Sequence, residues 1–183
     1  MIRTILTLVL LVFSYSAISA EEAPTLKLVG SWKVGLGQNA FVEDCLNVWN
    51  LAVGNSKLEF FGIGSGTPIN PCGEWGEQRD SGTIAMNVHC SVLMDDGSII
   101  LYEYRGRLRL DETGGDLWGN GDPLKAGEGM AYWIGVPLLK TKSEKYAWVN
   151  EAVFLMRGNI LVPPGKSDDP MVQYDLYQVE YNF

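Results

Sequence analysis

The stretch VLMDDGSII, Val92–Ile100, sets Asp95, Asp96 and Gly97 between two runs in which apolar and polar residues alternate. A two-residue period marks a strand with one face in and one face out, and Asp-Gly is a strong signal for reversing it. Two registers compete. A two-residue loop at Asp96 and Gly97 pairs Asp95 with Ser98, whereas a three-residue loop with Gly97 left-handed pairs Met94 with Ser98. A slip of one residue exchanges the two faces of a strand, so this choice decides which side chains share the interior. The three-residue loop sorts them better. It gathers Met86, Val88, Cys90 and Val92 with Ile100, Tyr102 and Tyr104 on one face, and Asn87, His89 and Ser91 with Leu101, Glu103 and Arg105 on the other. His89 then stands opposite Glu103, and Asn87 opposite Arg105.

Outward from this hairpin, further apolar or alternating runs fall near residues 25–34, 40–53, 57–63, 130–139, 147–157 and 171–181. With 83–94 and 98–109 they make eight. Eight strands suffice for an antiparallel sheet to close on itself and hide its edges. The predicted fold is all-β: a single antiparallel, eight-stranded closed barrel. Two stretches, Gly62–Gly82 and Asp111–Gly129, read as long loops at one mouth, with Trp75 and Trp118 at their centres. Loops of that length in a compact domain serve as binding loops or lids.

SEKYAWVNEAVF, Ser143–Phe154, is apolar on both faces of a two-residue period, yet Tyr146, Val149, Val153 and Met156 also fit helical spacing. The strand reading points Tyr146, Trp148 and Asn150 into the barrel, where Tyr102, Tyr104 and Tyr132 complete an aromatic lining. Ala147, Val149 and Val153 then face outward, under loops or against another subunit, so a homo-oligomer is open.

The first twenty residues have Arg3, an apolar run from Ile5 to Phe13 and a small-residue end at Ala17, Ser19 and Ala20. That is the pattern of a secretory signal, too short for a membrane anchor. Residues 21–183 form one domain of about 163 residues, enough for a core of its own. A periplasmic or secreted protein is expected, with no membrane insertion after cleavage. Without Arg3 the chain has 13 basic against 22 acidic side chains, a formal charge of -9. Such a surface repels phosphate backbones and anionic lipids, which excludes nucleic acid as a main partner.

Cys45, Cys72 and Cys90 allow one disulfide and one leftover thiol, in three pairings. Their spacing fits no zinc site, and His89 is the one histidine, so no metal is expected. GIGSG, Gly62–Gly66, lacks the spacing of a phosphate loop, and DLWGNGD, Asp116–Asp122, lacks that of a calcium loop. No cofactor is expected.

Acid–base chemistry has two candidates. His89 beside Glu103 forms a reserve pair, weighed against a solvated outer face. GEWGEQRD, Gly73–Asp80, groups Glu74, Trp75 and Arg79 between glycines. For Glu74 to carry a proton near neutrality its pKa must rise by about two units through burial. The competing reading is a carboxylate that pairs with Arg79 and pins the loop.

GEWGEQRDSGTIAMNVHCSVLMDDGSIILYEYRG, Gly73–Gly106, followed by YWIGVPLLKTKSEKYAWVNEAVFLMRG, Tyr132–Gly158, resembles the bacterial and fungal family called domain of unknown function 3237. The matching positions are Cys72, Gly73, Glu74 and Trp75; Asp96, Gly97 and Gly106; Pro137; and Tyr146, Ala147, Trp148, Val149 and Asn150. The resemblance implies a barrel similar to those of allene oxide cyclase and dirigent proteins, which handle small hydrophobic molecules, and it supplies no reaction. Glu74 stands where the family has Asp, and Cys72 where it has Gly.

Three functions follow as expectations. The first is an exported barrel that binds a small aromatic or apolar compound through Trp75, Arg79, Tyr102, Tyr146, Trp148 and Asn150, with Glu74 as a further polar contact. The second is a cofactor-free isomerase, cyclase or dehydratase with Glu74 as acid or base and Tyr104 or Tyr132 as donor. The third is a structural envelope protein.

Overall fold

The computed structural model describes residues 23–181 except Asp44, and the side chains of Phe41 and Glu43 are also outside the description. The expected leader lies outside the described residues.

Eleven strands form one sheet: β1 (Thr25–Gly35), β2 (Asn39–Glu43), β3 (Leu46–Asn50), β4 (Lys57–Phe60), β5 (Gly64–Gln78), β6 (Thr83–Met94), β7 (Ile99–Leu110), β8 (Leu124–Ala126), β9 (Gly129–Thr141), β10 (Phe154–Val162) and β11 (Met171–Glu180). Nine of them close into a ring, an imperfect barrel rather than a regular eight-stranded one. The ninth is the three-residue β8, wedged between β9 and β10 and parallel to β9, whereas every other pairing is antiparallel. β2 and β3 extend outside the ring as a hairpin on the second half of β5.

The central hairpin has the three-residue loop. Gly97 is left-handed at φ 80°, the Met94 amide donates to Ser98, and His89 pairs with Glu103 and Asn87 with Arg105. Met86, Val88, Cys90, Val92, Ile100, Tyr102 and Tyr104 are all buried inside. Cys72 and Cys90, directly opposed on β5 and β6, form the disulfide, and Cys45 is left free.

The two ends of the barrel differ. At one end Trp32 stacks on Tyr102 with centroids 4.7 Å apart, and Phe60, Phe154 and Met156 fill the space around and below them. Ser143–Phe154 seals this end, and here the strand reading is corrected. Ala147–Asn150 is a single 3-10 turn, and only from Phe154 does the chain become β10. The large side chains cap the cylinder instead: Tyr146 and Trp148 pack on Phe60, and Trp148 also on Phe154. The Asp-Asp-Gly turn fastens the cap. Asp95 accepts from the Tyr146 hydroxyl at 2.6 Å and from Lys145 at 2.8 Å, which holds its carboxyl down at about 2, and Asp96 accepts from Ser143 Oγ at 2.6 Å.

The expected loop Gly62–Gly82 is mostly β5, fifteen residues long. Its glycines are there for contact rather than looseness: a Cβ on Gly66 would meet the Met94 sulfur at 2.5 Å, and one on Gly73 the Trp49 carbonyl at 3.0 Å. A bulge at Asn70 and Pro71 lets β5 change partner from β4 to β3. The other expected loop contains a short helix, α1 (Gly114–Asn120), across the open end. Asp111 accepts from the Thr113 and Gly114 amides to start it, and left-handed Gly121 stops it.

Candidate functional site

Strands β3, β5, β6, β7, β9, β10 and β11, with Leu36 just past β1, bring side chains to the open end, and there the filling stops. A cavity of about 100 Å³ remains, its walls including Trp49, Glu74, Met86, Trp118, Trp133 and Tyr174. It continues into a wider vestibule of about 470 Å³ between the β2–β3 hairpin and α1, sharing Trp49 and Trp118 with the inner chamber. The T-shaped contact of Trp49 with Trp118, 6.4 Å between centroids, marks the passage.

Among the described residues, Glu74 is the one ionisable carboxyl in the wall. It sits on β5 in register with Val88 and, through β6, with Tyr104 on β7, one layer above the Cys72–Cys90 disulfide. A residue that alternates inward here must face the barrel, as Cys72 and Gly76 do. Gly76 supplies the room, since a Cβ there would lie 3.2 Å from Glu74 Oε1. The carboxyl keeps some accessible surface because it lines a cavity, and among the described residues no side chain or backbone amide hydrogen-bonds to it. Burial without compensation pushes its pKa up to about 7.

Beside it, Tyr174 on β11 shares a hydrogen bond of 3.2 Å with the buried Tyr104 hydroxyl and packs edge-on to Trp133 at 4.7 Å. Trp133 Nε1 donates to the Met86 sulfur at 3.3 Å. Burial and the neighbouring carboxyl hold both phenols well above their ordinary pKa. The site therefore offers one proton carrier poised near neutrality, one phenol that stays protonated, and walls of indole.

A family model described as protein of unknown function (DUF3237) matches residues 24–179. The chain belongs to this family. Three solved structures resemble this DUF3237 barrel. A conserved protein of unknown function from Rhodopseudomonas palustris has a TM-score of 0.72 at 17% identity, covering 87% of this chain and 99% of its own. A β-barrel-like protein from Acinetobacter baumannii has 0.64 at 16%, covering 88% and 99%. A structure described as an enzyme from Penicillium herquei has 0.55 at 20%, covering 88% and 98%. No curated protein matches the sequence.

Against this geometry several expectations about the DUF3237 site are corrected. Asn150 does not point into the barrel. It is exposed on the outer side of the cap, where its amide exchanges hydrogen bonds of 2.9 and 3.0 Å with the Thr141 backbone. Asn150→Ala should therefore cost about 1 kcal/mol, the value of such bonds, and leave any cavity ligand's affinity unchanged; chemical melts and a binding titration check both halves.

Tyr132 lies on the outer wall, 49% exposed, because inward positions on β9 are the odd-numbered ones. Trp75 alternates outward from Glu74 and meets His89 edge-on at 5.9 Å. Arg79 reaches Glu77 at 3.9 Å rather than Glu74. Tyr102, Tyr146 and Trp148 are inside but belong to the packed end, away from the cavity. The reserve pair exists as His89 Nδ1 to Glu103 Oε1 at 3.2 Å, on the solvated face. Glu74 remains in the wall, whereas Tyr104, two strands away in the same register, lies outside it and meets the cavity only through Tyr174. Trp49, Trp133 and Tyr174 were missed; the alternation Val172, Tyr174, Leu176 was the visible signal for the last of them.

Proposed function

We propose that this barrel takes a small aromatic or apolar compound into its open end and holds it by Glu74 and the surrounding tryptophans. The observation that carries this reading is the unpartnered carboxyl of Glu74 inside an indole-walled cavity. An uncompensated buried acid is costly, and a ligand is the natural source of its partner. Export to the periplasm or medium accompanies the proposal: it rests on the signal-like first twenty residues and agrees with the Cys72–Cys90 disulfide. Among the described residues no helix is long and apolar enough to cross a membrane.

A second reading, a cofactor-free isomerase, cyclase or dehydratase, is favoured by one observation: the Glu74 pKa of about 7 suits a general acid or base at physiological pH. At the level of fold alone, the Penicillium herquei enzyme is compatible with it. The cavity weighs against a purely structural envelope role.

The test is native mass spectrometry of protein taken from its own periplasm, alongside Gly76→Val, whose side chain intrudes beside Glu74. A retained small mass in the wild type that is lost in Gly76→Val supports the binding reading. Equal spectra for the two, with no retained mass, would sink it. Once a compound is in hand, turnover by the wild type that Glu74→Gln abolishes marks a catalyst, whereas a carrier converts nothing.

A further inference from the structure

Resting on the binding reading above, we propose that the group a ligand presents to Glu74 is a protonated amine, its apolar body lying among Trp49, Trp118 and Trp133.

The argument begins with charge. Among the described residues, the cavity wall holds one acid and no lysine, arginine or histidine. Elsewhere in the barrel, acids near the surface find cations: Asp95 has Lys145, Asp122 has Lys166, Asp169 has Lys33 and Asp175 has Arg157, at 2.6 to 3.1 Å. Glu74, the one that lines an interior cavity, has none among the described residues. An anionic ligand would bring a second negative charge to a site without a cation. A neutral ligand would leave the charge of Glu74 uncompensated. An ammonium supplies both the opposite charge and the N–H donors that the carboxylate lacks.

The aromatic geometry points the same way. Trp49 and Trp118 stand at 89° to each other, and Trp133 and Tyr174 at 70°. Rings at right angles make corners in which one ring offers its face, and the electron-rich face of an indole is the best side-chain surface for a cation. Asn47 and Gln78, the neutral amides in the wall, add polar contacts without charge. The vestibule, with Trp49, Trp118, Ile84 and Leu108 in its wall, has room for the apolar remainder.

Binding of an amine favours the ionised carboxyl, so affinity should climb as pH rises through about 7. Among the described residues, the other titratable groups facing Glu74 are the phenols of Tyr174 and Tyr104, which stay protonated there, and the Cys45 thiol in the cavity wall.

Benzylamine, benzyl alcohol and benzoate differ in one group and serve as probes for calorimetric titration at pH 8. The wild type should bind benzylamine at least about tenfold tighter than benzyl alcohol, the effect of one charge-assisted contact, and benzoate weakest. At pH 5.5 that preference should shrink. Glu74→Gln should bind benzylamine no tighter than benzyl alcohol, and its melting curve shows that it folds. Benzyl alcohol equalling benzylamine on the wild type, or an amine preference that survives in Glu74→Gln, overturns the amine proposal while leaving the cavity a binding site. Failure of all three probes to bind overturns this proposal together with the binding reading.

Discussion

Glu74→Gln stabilises the ligand-free protein by about 3 kcal/mol at pH 8 and changes little at pH 4. This expectation follows from linkage between protonation and folding. In the unfolded chain the carboxyl has its ordinary pKa near 4.5, and in the fold burial raises it to about 7. Below the lower value both states carry the proton and nothing is lost. Between the two, the folded state holds a proton that the unfolded state has released, so stability falls as pH rises. Above about 7 the folded protein must house the bare carboxylate, and the loss is complete at about 1.4 kcal/mol per pH unit of separation. Glutamine keeps the shape and removes the titration. For a domain of this size the gain is on the order of 6–12 °C in melting temperature. Thermal melts of both proteins from pH 4 to pH 9 should therefore converge at the acid end and separate at the alkaline end. Parallel curves would mean that Glu74 is solvated or paired in the folded protein, and the site would lose its distinguishing feature.

Trp32→Ala is expected to cost about 3–5 kcal/mol, the range for truncating a fully buried aromatic. Trp32 is wholly inaccessible and stacks on Tyr102 in the packed end, on the strand that carries Leu36 of the cavity wall just past its end. Its Nε1 has no hydrogen-bond partner, so the cost comes from packing alone and not from a broken polar contact. Trp32→Phe, which keeps most of the ring area, should recover more than half of the loss. Denaturant melts at pH 7 give both numbers. A loss below about 1 kcal/mol for the alanine variant would show that this layer is loosely filled.

The hairpin β6–β7 was legible because local and global signals coincide there: Asp-Gly fixes the turn, and alternation on both arms fixes the register. Glu74 was legible as a carboxyl among glycines and a tryptophan, although the tryptophan beside it in sequence faces away, as neighbours on a strand do. β5 was hidden by its own composition. Glycine and proline ordinarily end a strand, and here they make room for Met94, for Trp49 and for a change of pairing partner. Tyr146–Asn150 satisfied two periods at once, and what decided between them was the need to close an end of the barrel, which no window of a dozen residues contains. Trp49, Trp133 and Tyr174 lie 41 to 125 residues apart in the sequence, so their meeting depends on ring closure rather than on any local pattern.

Thr25 pairs with Glu180, and both lie at the sealed end, since β1 and β11 run their other termini to the cavity. Whatever precedes or follows the barrel in the polypeptide is thereby joined on the side away from the opening. The molecule is presented like a cup on a stem: a tether, tag or surface attached through either terminus leaves the rim pointing outward and unobstructed.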